Sequence, residues 1–175
     1  GHTQIRKGLA ILSASSKSQT SDMVNNRSLL TEAICHGLDG QAADLVGKVS
    51  IESLYRNADQ YLTMANQRPQ YASFLDQGMT LRKCKPTISP QIMRKIAELF
   101  RHTDTIDLSP AYEPDAKPED LEKQADFAIL QKLAKASLVE PIGEEHMYYA
   151  AIKSKSCGLT PFGKYYRDLV INRQI

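Results

Sequence analysis

The sequence predicts a mixed α/β protein in two parts, residues 1–85 and residues 86–175. The first part alternates short apolar runs with helical patterns, which is typical of a sheet with flanking helices. The second part begins at Ser89-Pro90, an N-cap followed by proline at the first helical position. It continues as helix, hairpin and helix, which is the layout of a small α+β winged-helix module. A chain of 175 residues is long enough for two small domains.

The first part opens with GLAILSAS at residues 8–15, an apolar run that predicts a buried strand leading into a loop. The polar loop at residues 15–26 would lie at the edge of an open α/β sheet, where ligands usually bind. A helix is predicted from Ser28 and ends near Gly37 and Gly40. Its apolar stripe consists of Leu29, Leu30, Ala33, Ile34 and Leu38.

A second helix is predicted within GKVSIESLYRNADQYL, where Ser50 serves as N-cap. The stretch FLDQGMTLR predicts a strand–turn–strand unit around Gly78.

In the second part, residues 104–121 are rich in proline and aspartate and predict a linker or surface loop. A helix is expected over residues 118–137. The stretch LVEPIGEEHMYYAAI predicts a hairpin around Gly143 with an acidic tip, and Thr160-Pro161 caps the last helix.

Composition argues for a cytoplasmic protein without a membrane segment. The net charge of +2 is too small to indicate a nucleic-acid or membrane partner by long-range attraction. No apolar run approaches the roughly 20 residues that span a bilayer, and the N-terminal GHTQIRKGLAIL lacks the layout of a signal peptide.

The three cysteines are an odd number without regular spacing, which argues against disulfides and for a reducing compartment. No cofactor and no metal site are predicted.

A resemblance to prokaryotic caspase-like and metacaspase cysteine peptidases, in their small-subunit region, covers about residues 8–75. It rests on the order and spacing of three stretches: AILSASSKSQTSDM, RSLLTEAICHGLDGQAADLVGKVSIESLY and QRPQYAS. The later stretch LVEPIGEEHMYYAAIKSKSCGLTPFGKYYRDLV resembles tails attached to some bacterial members of this group.

The resemblance implies an endopeptidase whose thiolate attacks a peptide carbonyl while a histidine acts as general acid–base. Both groups are expected upstream of the strand that begins this chain, so no catalytic residue is predicted here. The implied partners are that upstream large-subunit half and a protein or peptide substrate. The polar loop would form the floor of the specificity pocket, with substrate-binding residues Ser15, Ser16, Lys17, Ser18, Gln19 and Thr20. Metacaspases that prefer basic residues carry an acidic side chain near the position of Ser18. This sequence has Lys17-Ser18-Gln19 there instead, which argues against a basic preference.

Other chemistry-bearing residues favour structural interpretations. Cys35 and His36 are helical neighbours that point about 100° apart, so they cannot easily form a dyad, and a buried cysteine beside a surface histidine is expected. Cys84 and Cys157 lie in basic segments but have no histidine close in sequence. The acids Asp39, Asp44 and Glu52 lack the alternation of a calcium loop and are interpreted as solvated.

The alternative function is a winged-helix regulator that binds DNA or a protein without catalysis. The helix before the hairpin carries Lys123, Lys132 and Lys135, but it carries acids as well. Glu144 and Glu145 stand at the hairpin tip, where a wing that contacts phosphate needs basic residues. Electrostatics therefore favours a protein-contact or structural role for this module. Tyr148, Tyr149, Tyr165 and Tyr166 are expected in its core and rim.

Overall fold

A computed structural model of the protein describes residues 8–14, 23–24, 27–75 and 78–175. The chain divides into two compact units, Gly1–Thr87 and Ile88–Ile175. Helices and strands alternate in both units, so the prediction of a mixed α/β protein is confirmed.

The described part of the first unit contains short strands and two helices. In chain order these are β1 (Leu9–Ser13), β2 (Met23–Val24), β3 (Arg27–Ser28), α1 (Leu29–His36), β4 (Lys48–Ser50), α2 (Ile51–Thr63), β5 (Gln70–Phe74) and β6 (Thr80–Lys83). The strands form antiparallel two-stranded ladders, β1 with β5, β2 with β3 and β4 with β6. Strands are found on both sides of Gly78, as predicted. Both strands form, but their backbone hydrogen bonds go to β1 and β4 instead of to each other.

Both helices of the first unit begin at the predicted serines. The Ser28 hydroxyl accepts a hydrogen bond from the Thr31 amide at 3.2 Å. Ser50 and Ser53 cap each other, because each hydroxyl accepts from the other residue's amide, at 3.2 and 2.9 Å. After α1 the chain makes a π-helical turn, Gly37–Gln41, in which Gly40 has a φ of 123°. A left-handed residue ends the helical direction at this point, as the glycine pattern predicted.

Two small apolar clusters hold the first unit together. Packing of α1 on α2 buries Leu29, Ala33, Ala58 and Leu62. A second cluster contains Ala42, Val49 and Leu54.

The prediction that residues 8–15 form a buried strand is wrong in its burial. Leu9 and Ile11 of β1 leave about two fifths of their surface exposed, 41% and 40%. Successive side chains of a strand point to opposite faces. Tyr71, the cross-strand partner of Leu12, stacks on Tyr55 of α2.

The second unit contains four helices and three strands. In chain order these are α3 (Pro90–Leu99), β7 (Thr105–Asp107), α4 (Leu121–Lys135), β8 (Val139–Ile142), α5 (Met147–Ile152), β9 (Ser156–Leu159) and α6 (Pro161–Ile171). The sheet is antiparallel with strand order β7-β9-β8. The Ser89 and Thr160 hydroxyls cap α3 and α6, and proline follows each cap, as predicted.

Two predictions in the second unit are wrong. The apolar run after Gly143 is helix α5 instead of the second arm of a hairpin, and β8 pairs with β9. Met147, Ala150 and Ala151 are the buried residues of α5, and their spacing is that of a helix face. The predicted linker at 104–121 is also partly ordered into β7 and a 3₁₀ turn at Pro110–Tyr112, because β9 takes β7 as its second partner.

The second unit has a larger set of fully buried apolar side chains than the described part of the first. Its largest fully buried side chains are Phe100, Phe127, Met93, Ile96, Leu130, Leu133, Leu138, Val139 and Cys157. A Cβ on Gly163 would overlap the carbonyl oxygen of Leu138, so only glycine lets α6 start this close to the beginning of β8.

Candidate functional site

The predicted substrate-binding residues Ser15, Ser16, Lys17, Ser18, Gln19 and Thr20 lie outside the described residues. The structure describes the strand that leads into this loop. β1 ends at Ser13, and Ser13 stands opposite Gln70, the first residue of β5. The described edge of the candidate site is therefore the end of β1 together with the beginning of β5.

A groove of about 530 Å³ lies at this edge. Strand β1 contributes Ile11 and Ser13 to its lining. The remaining lining comes from α2, from the start of β5 and from the residue before it, with Tyr55, Pro69, Gln70, Tyr71 and Ala72. The groove thus opens where the predicted loop leaves the strand. Its walls combine aliphatic, aromatic and uncharged polar side chains, which suits an extended peptide with its alternating main-chain and side-chain contacts.

Two stacked tyrosines form the rigid wall of the groove. The rings of Tyr55 and Tyr71 lie 4.9 Å apart at an interplanar angle of 19°. The Tyr71 hydroxyl donates to a carboxylate oxygen of Glu52 at 3.5 Å. Glu52 belongs to the first turn of α2, whose direction is set by the reciprocal cap at Ser50. The sequence gives no local signal for this tyrosine pair, because the two residues share no motif and meet only when β5 packs beside α2.

The described lining of this groove carries no thiol and no imidazole. It can bind and orient a substrate, but it supplies neither a nucleophile nor a general base of the kind that peptide hydrolysis by a cysteine requires.

Cys35 and His36 do not form a dyad in the structure. Cys35 is half-buried instead of buried, and His36 is exposed. The His36 ring packs edge-on against Tyr61 of α2, with centroids 5.9 Å apart. The helical geometry that separates neighbouring side chains explains this arrangement, as the sequence predicted.

The other two cysteines differ in their surroundings. The half-buried Cys84 thiol donates to the carbonyl oxygen of Leu38 at 3.4 Å. Cys157 is fully buried in the middle strand of the three-stranded sheet. Burial raises the pKa of the Cys157 thiol to about 12, which keeps it protonated and unreactive near neutral pH.

The acids considered for calcium have structural partners. Asp44 accepts hydrogen bonds from the backbone amides of Val46 and Lys48 at 3.0 and 2.8 Å, and so closes the turn before β4. Asp39 pairs with Arg82 at 3.4 Å on the surface. Among the described residues, no group of three or more histidines, cysteines or acids is arranged to hold a metal ion.

Several basic side chains of the second unit are already paired with acids. Lys153 contacts both carboxylate oxygens of Glu144 at 2.9 Å. The Asp104 carboxylate binds Lys164 at 2.7 Å and Arg167 at 2.6 Å. These two hydrogen bonds lower the pKa of Asp104 from its usual value. Tyr166 is buried, whereas Tyr148, Tyr149 and Tyr165 are exposed.

No protein-family model matches the chain, and none of the curated proteins compared with it is significantly similar. In the part of the chain that the structure describes, no helix has both the length and the apolar character to cross a membrane.

Proposed function

We propose that this chain is the small-subunit and C-terminal part of a caspase-like cysteine endopeptidase. In this proposal the loop at residues 15–20 binds the substrate, and the catalytic cysteine and histidine belong to an upstream half of the peptidase. A winged-helix module then corresponds to the second unit.

The main support for the proposal is the structure of the β1–β5 ladder. It has a groove at the end of β1, where the loop begins, and an apolar face that the described residues leave exposed. Cross-strand pairs lie on the same face of a sheet, so Leu9 and Ile11 share this face with Phe74, which is 54% exposed. Such a face suits coverage by the remaining layers of a larger peptidase domain.

The local geometry after the loop also supports the proposal. Helix α1, the left-handed Gly40, the Ser50-capped α2 and the returning strand β5 follow one another in the order that the resemblance implies.

The test compares the chain alone with the chain co-expressed with the polypeptide encoded upstream of Gly1. We expect no hydrolysis of a peptide panel by the chain alone, and cleavage by the combination. In the combination, Gln19→Ala should lower kcat/KM about tenfold, which corresponds to one lost substrate hydrogen bond. Gln60→Ala, at an exposed position of α2, is the matched control and should leave kcat/KM unchanged.

Two results would overturn the proposal. The first is hydrolysis by the chain alone that is lost in Cys35→Ala. The second is an upstream region that encodes neither a cysteine nor a histidine able to complete the dyad.

The charge distribution of the second unit favours a protein-contact role over DNA binding as its alternative function. Glu144 pairs with Lys153, and Asp104 pairs with Lys164 and Arg167, so these three basic side chains are less available to phosphate. Binding to duplex DNA that weakens steeply with salt, in the manner of several phosphate contacts, would instead support the DNA-binding regulator.

A further inference from the structure

A second groove, of about 500 Å³, lies between α3 and α6 in the second unit. Its floor is apolar and consists of Ala97, Val170 and Ile171, the last of which is 55% exposed. Ile171, at the end of α6, is therefore an aliphatic side chain that the described residues leave more than half exposed.

The rim of this groove is basic. Arg94 lies on α3, and Arg101 follows two residues after the helix ends at Leu99. Both are exposed, and neither forms an ion pair with another described residue. Glu98 also lines the groove, but its carboxylate is paired with Lys95. The groove thus combines two unpaired guanidinium groups with an apolar floor, which suits an acidic segment that carries an aliphatic side chain.

Residues 119–122 of the same unit have this chemistry. Leu121, at the start of α4, is 70% exposed. Glu119 and Glu122 flank it, and both are exposed without an ion pair to a described residue. The Asp120 carboxylate accepts a hydrogen bond from the Lys123 amide, as the N-cap of α4, and pairs with the Lys123 ammonium. Because Leu121 is so largely exposed, this segment does not occupy the groove of its own molecule.

We propose that the α3–α6 groove of one copy binds the 119–122 segment of a second copy. Leu121 contacts the floor, and Glu119 and Glu122 pair with Arg94 and Arg101. The two surfaces are different, so the contact is head-to-tail and extends to more than two copies unless it closes into a ring. The proposal does not depend on the peptidase function.

The contact is expected to be weak and salt-dependent. A groove of this size buries less than the roughly 1,200 Å² of a stable interface. Exposed ion pairs are also screened by salt, with a Debye length of about 3 Å at 1 M.

Sedimentation equilibrium of the full chain over rising concentration tests the proposal. We expect the weight-average mass to increase with concentration at low salt and to return to the monomer value in about 1 M NaCl. Arg94→Glu/Arg101→Glu and Glu119→Arg/Glu122→Arg should each weaken association at least tenfold. A mixture of the two variants should associate again, because each supplies the surface that the other lacks. Lys132→Glu/Lys135→Glu, on exposed positions of α4, is the control and should associate like the wild type.

Circular dichroism of each variant verifies its folding. Leu121→Asp is a second probe that touches no core residue, and it should abolish association by itself. A wild type that stays monomeric at every concentration would refute the proposal. Association that survives either charge reversal, or a mixture that fails to recover it, would refute it as well.

Discussion

The two units use their strands differently. In the described part of the first unit, each strand has one partner, and apolar side chains such as Leu9, Ile11 and Phe74 stay exposed. In the second unit, β9 is paired on both edges and its Cys157 is fully buried. Two-stranded ladders are marginal unless another layer covers them. The second unit therefore builds a core from its own elements, whereas the described part of the first leaves a sheet face available to another layer.

The largest expected contrast is between two phenylalanines. Phe127 is 2% exposed in the core of the second unit, and Phe127→Ala should lower the free energy of unfolding by about 3–5 kcal/mol. Phe74 is 54% exposed, and Phe74→Ala should cost less than about 1 kcal/mol. Urea denaturation of dilute protein, followed by tyrosine fluorescence, measures both. Equal losses would mean that the β1–β5 face is covered in solution and would remove the contrast.

Thiol reactivity should also differ between the two units. With a pKa of about 12, Cys157 is thiolate for only about one part in 10⁴ at pH 8. The half-buried Cys35 and Cys84 should react with an aromatic disulfide reagent in the native chain. In the native chain Cys157 should react at least a hundredfold more slowly than these two, and it should be labelled readily only after unfolding. The native count of reactive thiols should be two, and the count in urea three.

Two alanine variants control the thiol count. Cys84→Ala should reduce the native count to one, and Cys157→Ala should leave it at two. Rapid labelling of a third thiol in the native chain would contradict the burial of β9.

The smallest expected effect concerns surface acids. Asp104 binds two cations, whereas Asp39 binds one. Asp104→Asn should lower the thermal midpoint at neutral pH more than the matched Asp39→Asn does. The folded-state pKa of Asp104 is lowered, so its stabilising contribution is present above the unfolded pKa of about 3.9 and is lost as the pH falls through the folded value. The deficit of Asp104→Asn should therefore vanish in acid, and a deficit that stays constant with pH would exclude the ion pairs as its cause.

Local signals accounted for much of the fold. The caps at Ser28, Ser50, Ser89 and Thr160 involve hydrogen bonds to residues only three positions away, so a short stretch of sequence was enough to predict them. The break at Gly40 was equally local, because only glycine readily adopts that backbone conformation.

The candidate site could be predicted only in part. The end of β1 was expected at the loop, and the groove lies there, but the loop residues 15–20 lie outside the described part and remain a prediction. The wall formed by Tyr55 and Tyr71 depends on a contact between α2 and β5 that no spacing in the sequence encodes.

The mixed α/β class was predictable from the sequence, as were the helix starts and the glycine break, since these depend on backbone preferences within a few residues. Only the tertiary structure decided which strands pair, because β5 and β6 could bond to each other or to β1 and β4 with similar local propensities. Tertiary packing also decided that residues 147–152 form a helix, since a short apolar run suits a strand or a helix until its buried face is known.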